Sequence, residues 1–293
     1  MVAVGITGRT LKCAVCALTG SLLSIAVPAV AQDAPNTGRS GDAYDGDYLI
    51  VGVGFGSVPS YEGSDDRAII PAAGVLGRIK GVNIGAREAG ISLDFVPDKE
   101  GRRVGFALGP VIRYRDNRTS HIKDPVVAKL GKLKGTIETG IATGVTINKV
   151  LTPVDSLSIS ADVRWNISGN GGGQVITAGV NYFTPVSRAV VVGGSVAADF
   201  ISDQYARYNF SVTEAGAAAS GLPVYDAKGG MKNWAVRMFA AYDLDRNIEN
   251  GGFAVGGGFS YSRLTGSAAA TPITSLRGSR DQIIFGAGVA YTF

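Results

Sequence analysis

Ser156 to Ile167 reads SLSISADVRWNI, and its two faces differ in chemistry. Leu157, Ile159, Ala161, Val163, Trp165 and Ile167 share one side of an extended chain, while Ser156, Ser158, Ser160, Asp162, Arg164 and Asn166 share the other. A helix would scatter these residues around its circumference; a period of two sorts them, so the segment is a strand.

The sorting recurs in both directions from this stretch. In residues 134–148, Ile137, Thr139, Ile141, Thr143, Val145 and Ile147 oppose Glu138, Gly140, Ala142, Gly144, Thr146 and Asn148. In residues 233–243, Trp234, Val236, Met238, Ala240 and Tyr242 oppose Asn233, Arg237 and Asp243. Residues 251–263 and 282–293 repeat the pattern, and the chain ends on it. A soluble sandwich buries its bulky residues and covers its outside with Lys, Glu and Thr. Here the second face is Gly, Ala and Ser with isolated charges, which suits the crowded inside of a closed cylinder, and the apolar face then suits lipid. A lipid-facing Arg or Lys at mid-membrane costs about 2–4 kcal/mol. Arg113, Glu138, Asp162, Arg164 and Arg237 avoid that cost by falling on the small-residue face, where they are expected to face the lumen. The expected fold is therefore all-β, a closed antiparallel transmembrane β-barrel.

Composition agrees. Of 293 residues, 42 are Gly, about twice the average usage of ~7%. The net charge of +4 and the lack of basic clusters interleaved with aromatics set nucleic acid aside. Arg9 and Lys12 precede an apolar run from Cys13 that ends in Ala29-Val30-Ala31, the layout of a cleaved secretory signal over 1–31. Both cysteines lie in that segment, so the processed chain is expected to have neither disulfide nor thiolate metal site. Residues 32–46 read as a polar periplasmic lead-in, and 47–293 as the barrel.

Clear strands fall near 47–56, 68–79, 102–115, 134–148, 155–167, 173–184, 188–200, 231–243, 251–263 and 281–293. Residues 81–96 hold either two short strands turning near Glu88-Ala89-Gly90 or one bulged strand. Bacterial barrels have even strand numbers, so about twelve strands are expected, with ten as the alternative. Short links at 97–101, 149–154, 185–187 and 244–250 alternate with long ones at 57–67, 116–133, 201–230 and 264–280, which places the short set in the periplasm and the long set outside. Tyr48, Tyr114, Trp165, Tyr182, Trp234, Tyr242, Tyr261 and Tyr291 lie near segment ends, as interfacial girdles would.

The long links carry little catalytic chemistry. His121 is the only histidine; Ser120 is adjacent and Asp116 and Asp124 are near, but nothing in the spacing fixes a triad. Asp124-Pro125 is an N-cap followed by proline at the first helical position, opening a short amphipathic turn through Val127, Leu130 and Leu133. Glu62, Asp65 and Asp66 form an acidic cluster whose spacing fits no calcium loop. Neither an enzyme, nor a cofactor, nor a metal centre is expected.

The stretch VGVGFGSVPSYEGSDD resembles the opening strand and loop of the MipA/OmpV family of MltA-interacting outer-membrane proteins, through Pro59, Tyr61, Gly63, Ser64 and Asp65. Similar matches run through KLGKLKGTIETG, the long loop FSVTEAGAAASGLPVYDAKGG and the C-terminal hairpin, covering essentially the whole chain beyond the signal. The resemblance implies the cell outer membrane of a Gram-negative bacterium and contact with its lipid. It also implies insertion by the barrel assembly machinery, with Tyr291 and Phe293 as the C-terminal signal. It further implies a scaffold in peptidoglycan metabolism that links a lytic transglycosylase to a bifunctional murein synthase. The alternatives are a narrow channel for small solutes and a surface-loop binding or adhesion protein.

Overall fold

The computed structural model describes residues 46–97 and 102–293. The predicted signal 1–31 and all but the last residue of the lead-in 32–46 lie outside the described residues. The strands are β1 Tyr48–Pro59, β2 Arg67–Ile79, β3 Val82–Arg87, β4 Gly90–Asp94, β5 Val104–Arg115, β6 Thr136–Asn148, β7 Ser156–Asn166, β8 Gln174–Pro185, β9 Val190–Ile201, β10 Gly230–Asp243, β11 Gly252–Leu264 and β12 Asp281–Thr292. Each pairs antiparallel with its sequence neighbours, and β1 pairs with β12 to close the cylinder. Twelve strands form, not ten, because residues 81–96 fold as the hairpin β3–β4, turning at Glu88-Ala89 with Ala89 at positive φ.

The outer face is apolar and unprotected by protein: Phe55 is 67% exposed, Ile69 78% and Met238 62%. No water-soluble sheet presents a continuous band of this kind; hydrocarbon is its solvent. Charges on that face, Arg67, Arg263 and Asp281, sit at the rim near the long connections. There Arg67 donates to the Ser57 and Ile283 carbonyls and lies 4.9 Å from the Phe285 ring. At the opposite rim Phe253, Tyr291 and Phe293 pack edge to face with ring centroids 4.7 Å apart. Tyr48 departs from the expected girdle: it faces inward, 4% exposed, beneath the Arg78 guanidinium.

Closure explains why the alternation persists to the end of the chain. β12 registers against β1 from Ile50↔Thr292 to Ser57↔Phe285, with Gly54 opposite Gly288. A Cβ on Gly54 would strike the Ala287 carbonyl oxygen and lie 2.7 Å from the Gly288 Cα, so glycine lets the seam approach this closely.

The inner face is less uniform than its small-residue reading. Phe183 and Phe239 both point inward and stack 6.4 Å apart, the Phe239 ring occupying the space a Cβ on Gly193 would need. Val58, Ala68, Ile70 and Ile284 form an apolar patch on the β1–β2–β12 side.

The long connections fold into a cap with its own core. Its helices are α1 Pro125–Ala128, α2 Asp203–Phe210, α3 Glu214–Ser220, α4 Gly266–Ala270 and α5 Pro272–Ser275. Tyr61, Val127, Val212, Leu222 and Ile273 make one cluster; Tyr205, Phe210, Ala227 and Ala268 join Val175, Ile201 and Leu264 in another. Asp124 caps α1 as its sequence predicts, accepting from the Val126 and Val127 amides at 2.8 Å. The turn is only four residues long.

Candidate functional site

The inward charges meet at the long-connection end of the lumen. Glu138 on β6 is 2% exposed and receives Arg115 Nε of β5 at 2.8 Å and Arg164 Nε of β7 at 3.2 Å. Arg164 also pairs with Asp162 on its own strand and donates to Thr177 Oγ1 at 3.1 Å, which donates to Asp199 at 2.7 Å. Lys232 of β10 joins Asp199 at 3.2 Å to Glu62 at 2.5 Å, and Glu62 returns to Arg115 at 3.5 Å. Seven side chains thus close a ring. Buried ions are tolerable only when paired, and each of the three ring acids, Glu138, Asp199 and Glu62, faces two partners of the ring.

Two acids do something the strand ladder cannot. Glu62, brought in by the β1–β2 connection, joins Arg115 on β5 to Lys232 on β10. Glu88, brought in by the β3–β4 turn, joins Arg113 on β5 to Arg237 on β10, the latter at 2.6 Å. Both carboxylates therefore stitch the same two strands, one layer apart.

Beside these bridges lies a cavity of about 220 Å³. Arg113, Lys232, Arg237 and Glu88 line one side, and Val58, Ala68, Ile70 and Ile284 the other. Ser120 and His121 stand at the loop end.

All five lumenal charges picked from sequence, Arg113, Glu138, Asp162, Arg164 and Arg237, take part in these pairs. Arg115, Asp199, Glu62, Glu88 and Lys232 were not picked. Arg115 and Asp199 share a face with picked or polar neighbours, so alternation could have found them. Lys232 could not be found so: alternation puts it with Trp234 on the lipid side, but the register shifts between Met231 and Asn233 and turns it inward. The cost of a lipid-facing lysine was the available signal.

The loop motif builds the joint between cap and barrel. Tyr61 is 3% exposed and its hydroxyl donates to the Arg277 carbonyl; burial pushes its phenol up to about 12, so it stays a neutral donor. Gly63 adopts φ 97° against Thr274, and its amide donates to Gln282 Oε1 at 3.1 Å. Ser64 pairs with Ser60 at 2.9 Å. Pro59 ends β1, and Asp65 is exposed. Glu62 belongs to the ring, so it does not join Asp65 and Asp66 in an acidic cluster.

His121 Nδ1 lies 2.8 Å from Ser120 Oγ, but the Asp124 carboxylate is committed to the α1 amides and to Arg277 at 2.7 Å. In Arg118, 4% exposed, Nε and Nη1 have no partner, and burial pulls its pKa down to about 10.

The family model for the MltA-interacting protein MipA matches residues 51–293. The chain belongs to the MipA family. Its barrel is also similar to solved outer-membrane proteins. A Pseudomonas putida F1 outer-membrane channel aligns with TM-score 0.44 and 12% identity over 87% of this chain and 99% of that one. The outer-membrane channel DcaP of Acinetobacter baumannii aligns with TM-score 0.40 and 9% identity over 84% and 96%. The toluene transporter TodX of Pseudomonas putida aligns with TM-score 0.37 and 10% identity over 85% and 89%. No curated protein matches the chain. This MipA-family chain is an outer-membrane β-barrel, and the motif residues quoted above lie within its matched span.

Proposed function

We propose that the barrel is a closed anchor for murein-processing enzymes, holding a lytic transglycosylase and a bifunctional murein synthase at the periplasmic face, and is not itself an enzyme. The supporting observation is the double stitch across the lumen: Glu62 and Glu88 span β5 to β10 beneath the loop cap. A solute passing through would have to break these cross-lumen ion pairs, which favours a scaffold over a channel. The family description as MltA-interacting supplies the partner class.

Barrels of this type carry short turns in the periplasm, so partner contacts fall on the turns after β2, β4, β6, β8 and β10. The β6–β7 turn is held by a buried carboxylate. Asp155, fully buried, accepts from the Val150, Leu151 and Thr152 amides at 2.7–3.0 Å and from the Tyr182 hydroxyl at 2.8 Å. This turn holds out Leu151, 78% exposed, and the β8–β9 turn holds out Val186, 59% exposed. Tyr291 and Phe293, at the same rim, serve as the signal read by the assembly machinery, and residues 1–31 as the export segment removed beforehand.

Tagged protein in detergent, mixed with a purified lytic transglycosylase, is expected to retain it, and Leu151→Asp with Val186→Asp to weaken retention. Failure of the wild-type barrel to retain any murein enzyme would defeat the scaffold.

A further inference from the structure

β2 is only partly built into the wall. On its β1 side every residue from Arg67 to Arg78 is paired. On the other side pairing with β3 covers Gly77, Arg78 and Ile79 only. Among the described residues, no strand pairs with Arg67–Leu76 on that side. Pro71, which has no amide hydrogen, sits midway along this edge, as proline does where a ladder is absent.

The β3–β4 hairpin stays paired with β5 through Gly90–Ser92 but parts from β2 beyond Gly77, and its tip turns into the lumen. Its Ala86 lies on the outward face by register, opposite the exposed Ile91, yet it is 5% exposed and packs with the inward-facing Leu76 and Tyr48. Its tip carries Glu88 far enough to reach Arg237 on β10. An unpaired strand edge is not stable in hydrocarbon and is tolerated only where it borders a polar cavity. The cavity described above is that border: its lining runs from Ala68 and Ile70 on β2 to Glu88 and Ala89 at the hairpin tip.

The lining also defines an occupant. One wall is apolar. The other holds Arg113 Nε and Arg115 Nη2, buried and without hydrogen-bond partners, with Arg115 8% exposed. Four cations in it, Arg113, Arg115, Lys232 and Arg237, face the carboxylates Glu62, Glu88 and Asp199, with Asp116 at the loop end. Unused guanidinium donors in a buried site favour a carboxylate. The volume is below the ~300–1,000 Å³ that drug-sized ligands occupy, so the molecule is small.

We propose that this cavity binds a small amphipathic carboxylate, an anionic head on an apolar body, which enters from the lipid through the gap between β2 and the β3–β4 hairpin. The head sits against Arg113 and Arg115 and the body against Val58, Ala68, Ile70 and Ile284. Entry is sideways, so it needs no passage through the stitched lumen and stands apart from the scaffold reading.

The test uses the full barrel in lipid nanodiscs, photolabelled with a diazirine analogue of octanoate and mapped by mass spectrometry. Saturable labelling of Ala68, Ile70 and Ala89, competed by octanoate, is expected. The matching diazirine alcohol should need about tenfold higher concentration, the loss of one charge-assisted contact. Ala68→Phe, which fills the apolar side, should abolish saturable labelling while the barrel stays folded by its gel shift on heating. A phospholipid with a diazirine on its acyl chain, unable to leave the bilayer, should label Ile70 or Ala89 as well. Labelling confined to Phe55, Ile69 and other outer-face residues would overturn the lateral route, and absence of saturable octanoate binding would overturn the site. Neither result bears on murein-enzyme capture.

Discussion

Glu138 is the clearest single-residue case, a carboxylate 2% exposed between two guanidinium groups. Removing one partner of a buried pair leaves uncompensated charge and costs about 3–5 kcal/mol. Glu138→Ala is therefore expected to lower stability by that order in urea unfolding from lipid vesicles; a change below about 1 kcal/mol would show that the ring does not hold the wall. Asp124 makes a pH-dependent contribution. Burial opposes its ionisation, but the Val127 amide, Arg277 and the Val126 amide outweigh that and hold its pKa below the ordinary 3.8. A depressed folded-state pKa stabilises above the unfolded value and is lost as pH falls through the folded one. Hydrogen exchange in residues 116–135 should accordingly rise only below about pH 4, and Asp124→Ala, costing about 1 kcal/mol for the lost cap, should show the raised exchange at neutral pH. At this scale Glu138, Asp162 and Arg164 are visible in sequence because strand parity alone places them. Glu62 and Glu88 are not, because their partners lie across the lumen on strands that local pattern cannot bring together.

The strands themselves follow from alternation, and their order follows from short connections. What alternation cannot state is where a ladder stops: β3 and β4 are six and five residues long, and only the unpaired edge of β2 reveals the gap. The cap helices had signals that an external-loop reading passed over. Ser202 caps α2 and Thr213 caps α3, whose end is Gly221 at φ 78°. The seam gives an element-scale prediction. Gly54→Val and Gly288→Val each place atoms against the facing backbone, an overpacking that costs about 1–3 kcal/mol. Both should reduce the fraction of protein that runs as the compact, unheated band on gels, whereas Gly74→Ala, with open space at its Cβ, should not. Equal behaviour of the three variants would mean that the β1–β12 contact does not limit closure.

For the whole molecule, the fold class was legible because lipid and lumen impose opposite chemistry on alternate residues throughout the chain. The site was half legible: its wall charges obey parity, while the acids that cross it come from connections. In the proposed reading, those crossings distinguish an anchor from a pore. The most direct measurement is single-channel conductance in planar bilayers, comparing wild type with Glu62→Ala/Glu88→Ala of confirmed folding. The stitched lumen predicts that the wild type is silent and that the double variant opens to steady current steps. Ohmic steps of equal size from both proteins would contradict it.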